Sequence, residues 1–120
     1  MKPNELRIGN FISRIDLGNK SPRIETILEL LSKRAVTSGP CSVIVPYEDI
    51  EPIPLTEEWL LKFGFRTEES SRFELDNIQI NTSRELMWIN TKCKYNIEIG
   101  MPDYIHQLQN LYFSLTNTEL

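Results

Sequence analysis

Apolar and polar residues alternate through most of the 120 positions of this chain, a period of two that predicts half-buried strands. In "ELRIGNFISRI", Leu6, Ile8 and Ile12 share one parity, and Phe11 and Ile15 the other. That pattern predicts a short strand with an irregularity at Gly9. "DLGNKSP", residues 16–22, has turn-forming chemistry and reads as a loop. "RIETILELL" carries two signals at once. Ile24, Ile27, Leu28 and Leu31 have helical spacing behind a Ser21-Pro22 start, whereas its Ile and Thr residues after a turn suit a strand. The strand is preferred and the helix stays open. Further on come a short β-prone piece around Val36, a Gly39-Pro40 break, and "SVIVPY", ended by a proline that removes a ladder donor. Residues 1–53 therefore read as a β-rich, twisted N-terminal part.

The pattern changes over residues 54–66, within "PIPLTEEWLLKFGF". Thr56 suits an N-cap, its hydroxyl accepting from a first-turn amide, and Glu57 and Glu58 complement the positive end of the helix dipole. Leu55 and Leu60 occupy the positions of a hydrophobic staple. Gly64 is placed for a left-handed stop with Phe65 folding back on Leu60. A six-residue helix over 57–62, anchored by Trp59, Leu60 and Phe63, accounts for nearly every letter, so the motif reads as scaffold.

Alternation returns over residues 72–100. Phe73 and Leu75, Ile78 and Ile80, Met87 and Ile89, then Tyr95, Ile97 and Ile99 predict an antiparallel meander with one wet face. The last segment, residues 103–115, has Ile105, Leu108, Leu111, Tyr112 and Leu115 on one helical stripe after Pro102 and Asp103. The expected fold is α+β: a small single domain of short, mainly antiparallel strands. It carries a short central helix and a C-terminal helix packed on the sheet, here the meander.

Composition adds a charge asymmetry to this picture. Net charge is −4; residues 1–50 hold seven Lys or Arg against six Asp or Glu, and residues 51–120 hold six against eleven. No basic cluster of the kind that binds a phosphate backbone is present, and direct nucleic-acid binding by the isolated protein is not expected. An acidic surface suits a basic protein partner, such as the guide-RNA channel of a nucleic-acid enzyme. The acids of the second part, Glu57, Glu58, Glu68, Glu69, Glu74 and Asp76, are the candidate partner-binding residues. The alternative, a small nucleic-acid-binding module, would use Arg7, Arg14, Arg23, Lys33 and Arg34. No signal-peptide core or membrane-length apolar run is present, so a cytoplasmic protein without a membrane partner is expected.

Catalytic chemistry has little to stand on. Glu57 and Glu58 point about 100° apart on a helix start, and Glu68 and Glu69 fall in "RTEESS", read as a polar loop. His106, the only histidine, reads as a surface or helix-flank residue three positions from Asp103. Cys41 and Cys93 are too few for a four-ligand metal site or a disulfide framework, although Lys92 and Lys94 would favour a Cys93 thiolate. No catalytic residues, metal or cofactor are expected, and the protein reads as non-enzymatic.

Three stretches, "NELRIGN" at residues 4–10, "IEPIPLTEEWLLKFGF" at 50–65 and "YIHQLQNLYFSLTNTEL" at 104–120, resemble the signature blocks of a family of short proteins encoded by Bacteroidetes and their prophages. They cover about a third of the chain, in the family's order. Most of the family is uncharacterised. One member class is an anti-CRISPR protein, an inhibitor of the RNA-guided RNA nuclease of type VI-B systems. The resemblance implies a phage-derived protein in the cytoplasm of a bacterial host. It would bind a CRISPR effector nuclease and block its activity or productive guide-RNA loading.

Overall fold

The alternating segments form strands in the computed structural model, which describes residues 3–14, 23–39, 42–69, 71–90 and 96–120. Among these residues, ten strands make two five-stranded antiparallel sheets, accompanied by one short and one longer α-helix, so the fold is α+β. The chain divides into two compact units. The first comprises Met1–Pro54 with Tyr104–Leu120, and the second Leu55–Asp103. No helix among the described residues is long and apolar enough to cross a membrane.

The first unit holds β1 (Phe11–Arg14), β2 (Arg23–Leu30), β3 (Arg34–Thr37), β4 (Val43–Pro46) and β5 (Ile50–Glu51), in the order β4-β3-β2-β1-β5. β2 decides the ambiguity in "RIETILELL" in favour of the strand. Ile27 is fully buried while Ile24 and Leu28 are 55% and 46% exposed, whereas a helix would have put all three on one side. Inward-facing Ile12, Ile27, Ala35 and Val45, one from each of four strands, pack with Leu6, Tyr47 and Ile50. Pro46 is tolerated because β4 is an edge strand.

The strand expected from "ELRIGNFISRI" is shorter than its alternation suggested. A 3-10 turn occupies Pro3–Glu5, and Gly9, at φ +96°, turns the chain before β1. The Gly9 amide donates to the Ile27 carbonyl at 2.8 Å, a conformation open mainly to glycine. Ile8 is consequently exposed rather than part of the inward set.

Helix α2 (Ile105–Thr116) begins and ends slightly later than the stripe predicted. The Tyr104 amide donates to Gln107 Oε1 at 3.2 Å at its start, and left-handed Asn117 closes it, its amide donating to the Phe113 carbonyl at 2.8 Å. The helix joins the first unit, where it packs on β1, and not the meander expected to receive it. Backbone pairing explains the difference. The Ile105 amide donates to the Ile53 carbonyl at 2.9 Å, and Pro54 bridges Tyr104, so the segment is tied to residues far earlier in sequence.

The second unit runs as α1 (Glu57–Lys62), then β6 (Arg66–Glu69), β7 (Arg72–Leu75), β8 (Ile78–Asn81), β9 (Leu86–Asn90) and β10 (Asn96–Gly100), a meander in sequence order. The glycine stop forms as expected. Gly64 has φ +95°, its amide donates to Leu61 and that of Phe65 to Leu60, at 3.1 and 3.0 Å, closing both rings of a Schellman motif. Thr56 has the extended backbone of an N-cap but no side-chain cap bond. Glu57 instead accepts from Thr82 Oγ1 at 2.8 Å, tying the helix start to the turn between β8 and β9. Leu60, fully buried, is the anchor. Trp59 and Phe63 are half-buried beside it with ring centroids 5.7 Å apart.

Residues 66–69 of "RTEESS", expected as loop, form β6. A segment this polar can be a strand because it is the sheet edge, paired on one side only, and charged edges resist further pairing. Phe73, Ile78, Ile80, Met87 and Ile89 form the buried parity of the meander.

Candidate partner-binding surface

The register of the second sheet builds one straight row across all five strands. Arg66 pairs with Glu74, Glu74 with Gln79, Gln79 with Trp88, and Trp88 with Glu98. These positions alternate with Phe73, Ile80 and Met87, which are buried, so the row lies on the opposite, open face. Arg66, Gln79 and Glu98 are exposed, and Glu74 and Trp88 half-buried. Neighbouring strands lie about 4.8 Å apart, which sets the Trp88 backbone about 5 Å from that of Glu98 and about 10 Å from that of Glu74. A cavity of about 150 Å³ opens on this face between Arg72, Glu74, Gln79 and Trp88, floored by Phe73 and Ile80.

The six acids expected to meet a partner all belong to the second unit, at different places. Glu57 and Glu58 are exposed in the first turn of α1, Glu68 and Glu69 are on β6, and Asp76 is exposed in the two-residue turn between β7 and β8, at φ +51°. Only Glu74 is in the row. Trp88, Gln79 and Glu98 were missed, although the alternation that put Met87 and Ile89 inside already implied Trp88 outside.

The five basic candidates are dispersed over the first unit, and three of them are engaged within the chain. Arg7 chelates the Glu119 carboxylate, with Nη2 to Oε2 at 3.0 Å, and its guanidinium lies 4.2 Å above the Phe113 ring centre. The hydrogen bonds from Arg7 hold the Glu119 carboxyl below its ordinary pKa. Arg14 Nε donates to Glu25 Oε1 at 2.9 Å, their side chains only 15% and 5% exposed, and Thr37 Oγ1 donates to the other carboxylate oxygen. A Cβ on Gly39 would approach Glu25 Oε1 to 2.7 Å, so this buried ion pair is closely packed. Arg23 is half-buried with a partner in the chain. Lys33 and Arg34 are exposed at the β2–β3 hairpin.

Two of the resemblance-bearing blocks meet in a polar seam. Asn10, fully buried, accepts from the Arg7 amide at 2.6 Å and donates to Asn110 Oδ1 at 2.8 Å. Gln109, equally buried, accepts from the Phe11 amide at 2.8 Å and donates to the Gly9 carbonyl at 3.2 Å. Asn110 Nδ2 donates to the Glu5 carbonyl. Such side chains do for α2 and the 5–11 segment what a ladder does between strands.

His106 corrects the reading of a surface histidine. It is 3% exposed, stacked on Tyr104 with centroids 6.0 Å apart, and its Nδ1 has no hydrogen-bond partner. Burial lowers its pKa, opposed by the nearby Glu5 carboxylate. A wide stripe, Ile105, His106, Leu108, Gln109 and Tyr112, is buried along α2. His106 belongs to that stripe, and among the described residues no three His, Cys, Asp or Glu converge as metal ligands. Asp103 is exposed. Cys41, Cys93, its flanking lysines and the loop at 16–22 lie outside the described residues.

Comparison of the chain with protein-family models, with curated proteins and with solved structures found no match.

Proposed function

We propose that this protein is a non-enzymatic binding protein that presents the open face of its second sheet to a basic protein surface. Following the resemblance of its three sequence blocks, that surface is on a type VI-B RNA-guided RNA nuclease in the bacterial cytoplasm. The observation that carries the reading is the row Arg66, Glu74, Gln79, Trp88, Glu98, an aromatic between Gln79 and Glu98 on an open, half-polar face. Residues 55–103 carry nine acids against six Lys or Arg. Lysines and arginines that hold a guide backbone are complementary to such a face, and occupying them would inhibit loading without any bond being made or broken. Opposite charge raises the rate of encounter, and the central aromatic supplies the contact energy.

Co-purification of the full chain with the nuclease, followed by cleavage of labelled RNA, tests this. Inhibition that saturates near one-to-one, and that weakens for Glu74→Lys and Glu98→Lys, is the expected result. Absence of binding to guide-free and guide-loaded nuclease at low salt would sink it. Direct nucleic-acid recognition draws less support, because Arg7 and Arg14 are already committed to carboxylates. A mobility shift of labelled RNA by the protein alone would revive it.

A further inference from the structure

We infer that the niche beside Trp88 receives an arginine side chain of the partner, with the guanidinium against the indole and its N–H groups donating to Glu74 or Gln79. This rests on the reading that the second sheet's face meets a basic protein. The cavity, about 150 Å³, is below the roughly 300 Å³ at which drug-sized ligands begin to fit, so it suits the head of one side chain.

Its chemistry selects that head. An indole face attracts cations, best of all a planar guanidinium that stacks while its edge keeps five donors for acceptors. Acceptors line the cavity on one side of the indole: Gln79 on the neighbouring strand and Glu74 one strand further. The chain already makes the same kind of contact where it has a cation to offer. Lys62 Nζ is 4.8 Å above the Trp59 ring centre, and Arg7 covers Phe113. Among the described residues none places a cation over Trp88. Arg72, which lines the cavity together with Glu74, is already engaged within the chain.

Since Trp59 and Trp88 are the two tryptophans, a Trp59→Phe chain reports on Trp88 alone by fluorescence. It is titrated with a nonapeptide carrying three arginines, with its lysine and glutamate counterparts, and with an oligouridylate. Saturable change with the arginine peptide is expected, several-fold weaker with lysine and absent with glutamate. Glu74→Gln should weaken the arginine peptide about fivefold, and Trp88→Leu, followed by calorimetry, by a similar factor. Circular-dichroism melts check that both variants stay folded, and Glu74→Gln carries the test if Trp88→Leu does not. A response to oligouridylate but not to the arginine peptide would make the niche a base-stacking site and overturn the assignment, as would no response to any probe. If the nuclease binds equally well to Glu74→Gln and Trp88→Leu chains, the assignment fails while the functional reading stands. If the arginine peptide titrates Trp88 but no nuclease binds, the reverse holds.

Discussion

The two sheets face outward in opposite ways. The first exposes Ile24, Leu28 and Ile44 and turns polar groups inward: the Arg14–Glu25 pair with Thr37 on one side, and Asn10 and Gln109 in the seam with α2. The second buries Phe73, Ile78, Ile80, Met87 and Ile89 on one face and sets Arg66, Glu74, Gln79 and Glu98 in a row with Trp88 on the other. Residue type alone therefore misleads about use. Arg7 and Arg14, which look available for a partner, are internal fastenings in the first unit, whereas in the second a tryptophan that looks like core is presented outward.

The strongest way to break this contrast is through the inward charges. Arg14→Ala should cost about 3 to 5 kcal/mol in urea unfolding, because it strands a buried carboxylate, while an Arg14→Met/Glu25→Leu pair should recover most of that. Glu98→Gln on the open face should change stability by less than about 0.5 kcal/mol. A loss below about 1 kcal/mol for Arg14→Ala would show that the first unit's charges are not structural.

The seam is the next target. Asn10→Ala leaves the Arg7 amide without its acceptor and Asn110 Oδ1 with only the Arg7 Nε donor at 3.3 Å, and should cost about 2 kcal/mol by the same measurement. In the second unit, Gly64→Ala forces an alanine to φ +95° and should cost about 1 kcal/mol; no change in melting temperature would mean that the Schellman stop is dispensable. His106 offers a slope with pH. Its folded pKa lies below the ordinary 6.5, so the unfolded chain takes up the proton first. The contribution to stability is whole above pH 6.5 and declines as pH falls towards the folded value. His106→Phe should flatten the unfolding midpoint between about pH 6.5 and 5, and an unchanged slope would assign it to carboxylates. The smallest effect belongs to Thr56→Ala, below about 0.5 kcal/mol, because its hydroxyl makes no cap bond.

Much of the fold was readable because alternation is a local property. The strands of the meander, the Gly64 stop and the core parity of β8 and β9 follow from side chains that point to opposite faces in turn. β6 escaped because an edge strand has no need of apolar residues, and His106 and Gln109 escaped because polarity outweighed their place on a helical stripe. The open row was half legible. Parity placed Trp88 outward, but its alignment with Glu74 and Glu98 depends on the register of separate strands.

By itself, then, the amino-acid order determined the strands of the meander after β6 and both helices, where α1 stops, and that the acid excess falls in the second part of the chain. Those outcomes rest on backbone preferences and periodicities within a few residues. Only the tertiary structure decided which charges are spent and which remain open. Arg7 meets Glu119 and Asn10 meets Asn110 across about a hundred residues, while the row around Trp88 is aligned by four strand pairings. The physical reason is that periodicity specifies the side on which a residue emerges, whereas the neighbour it finds there comes from chain closure.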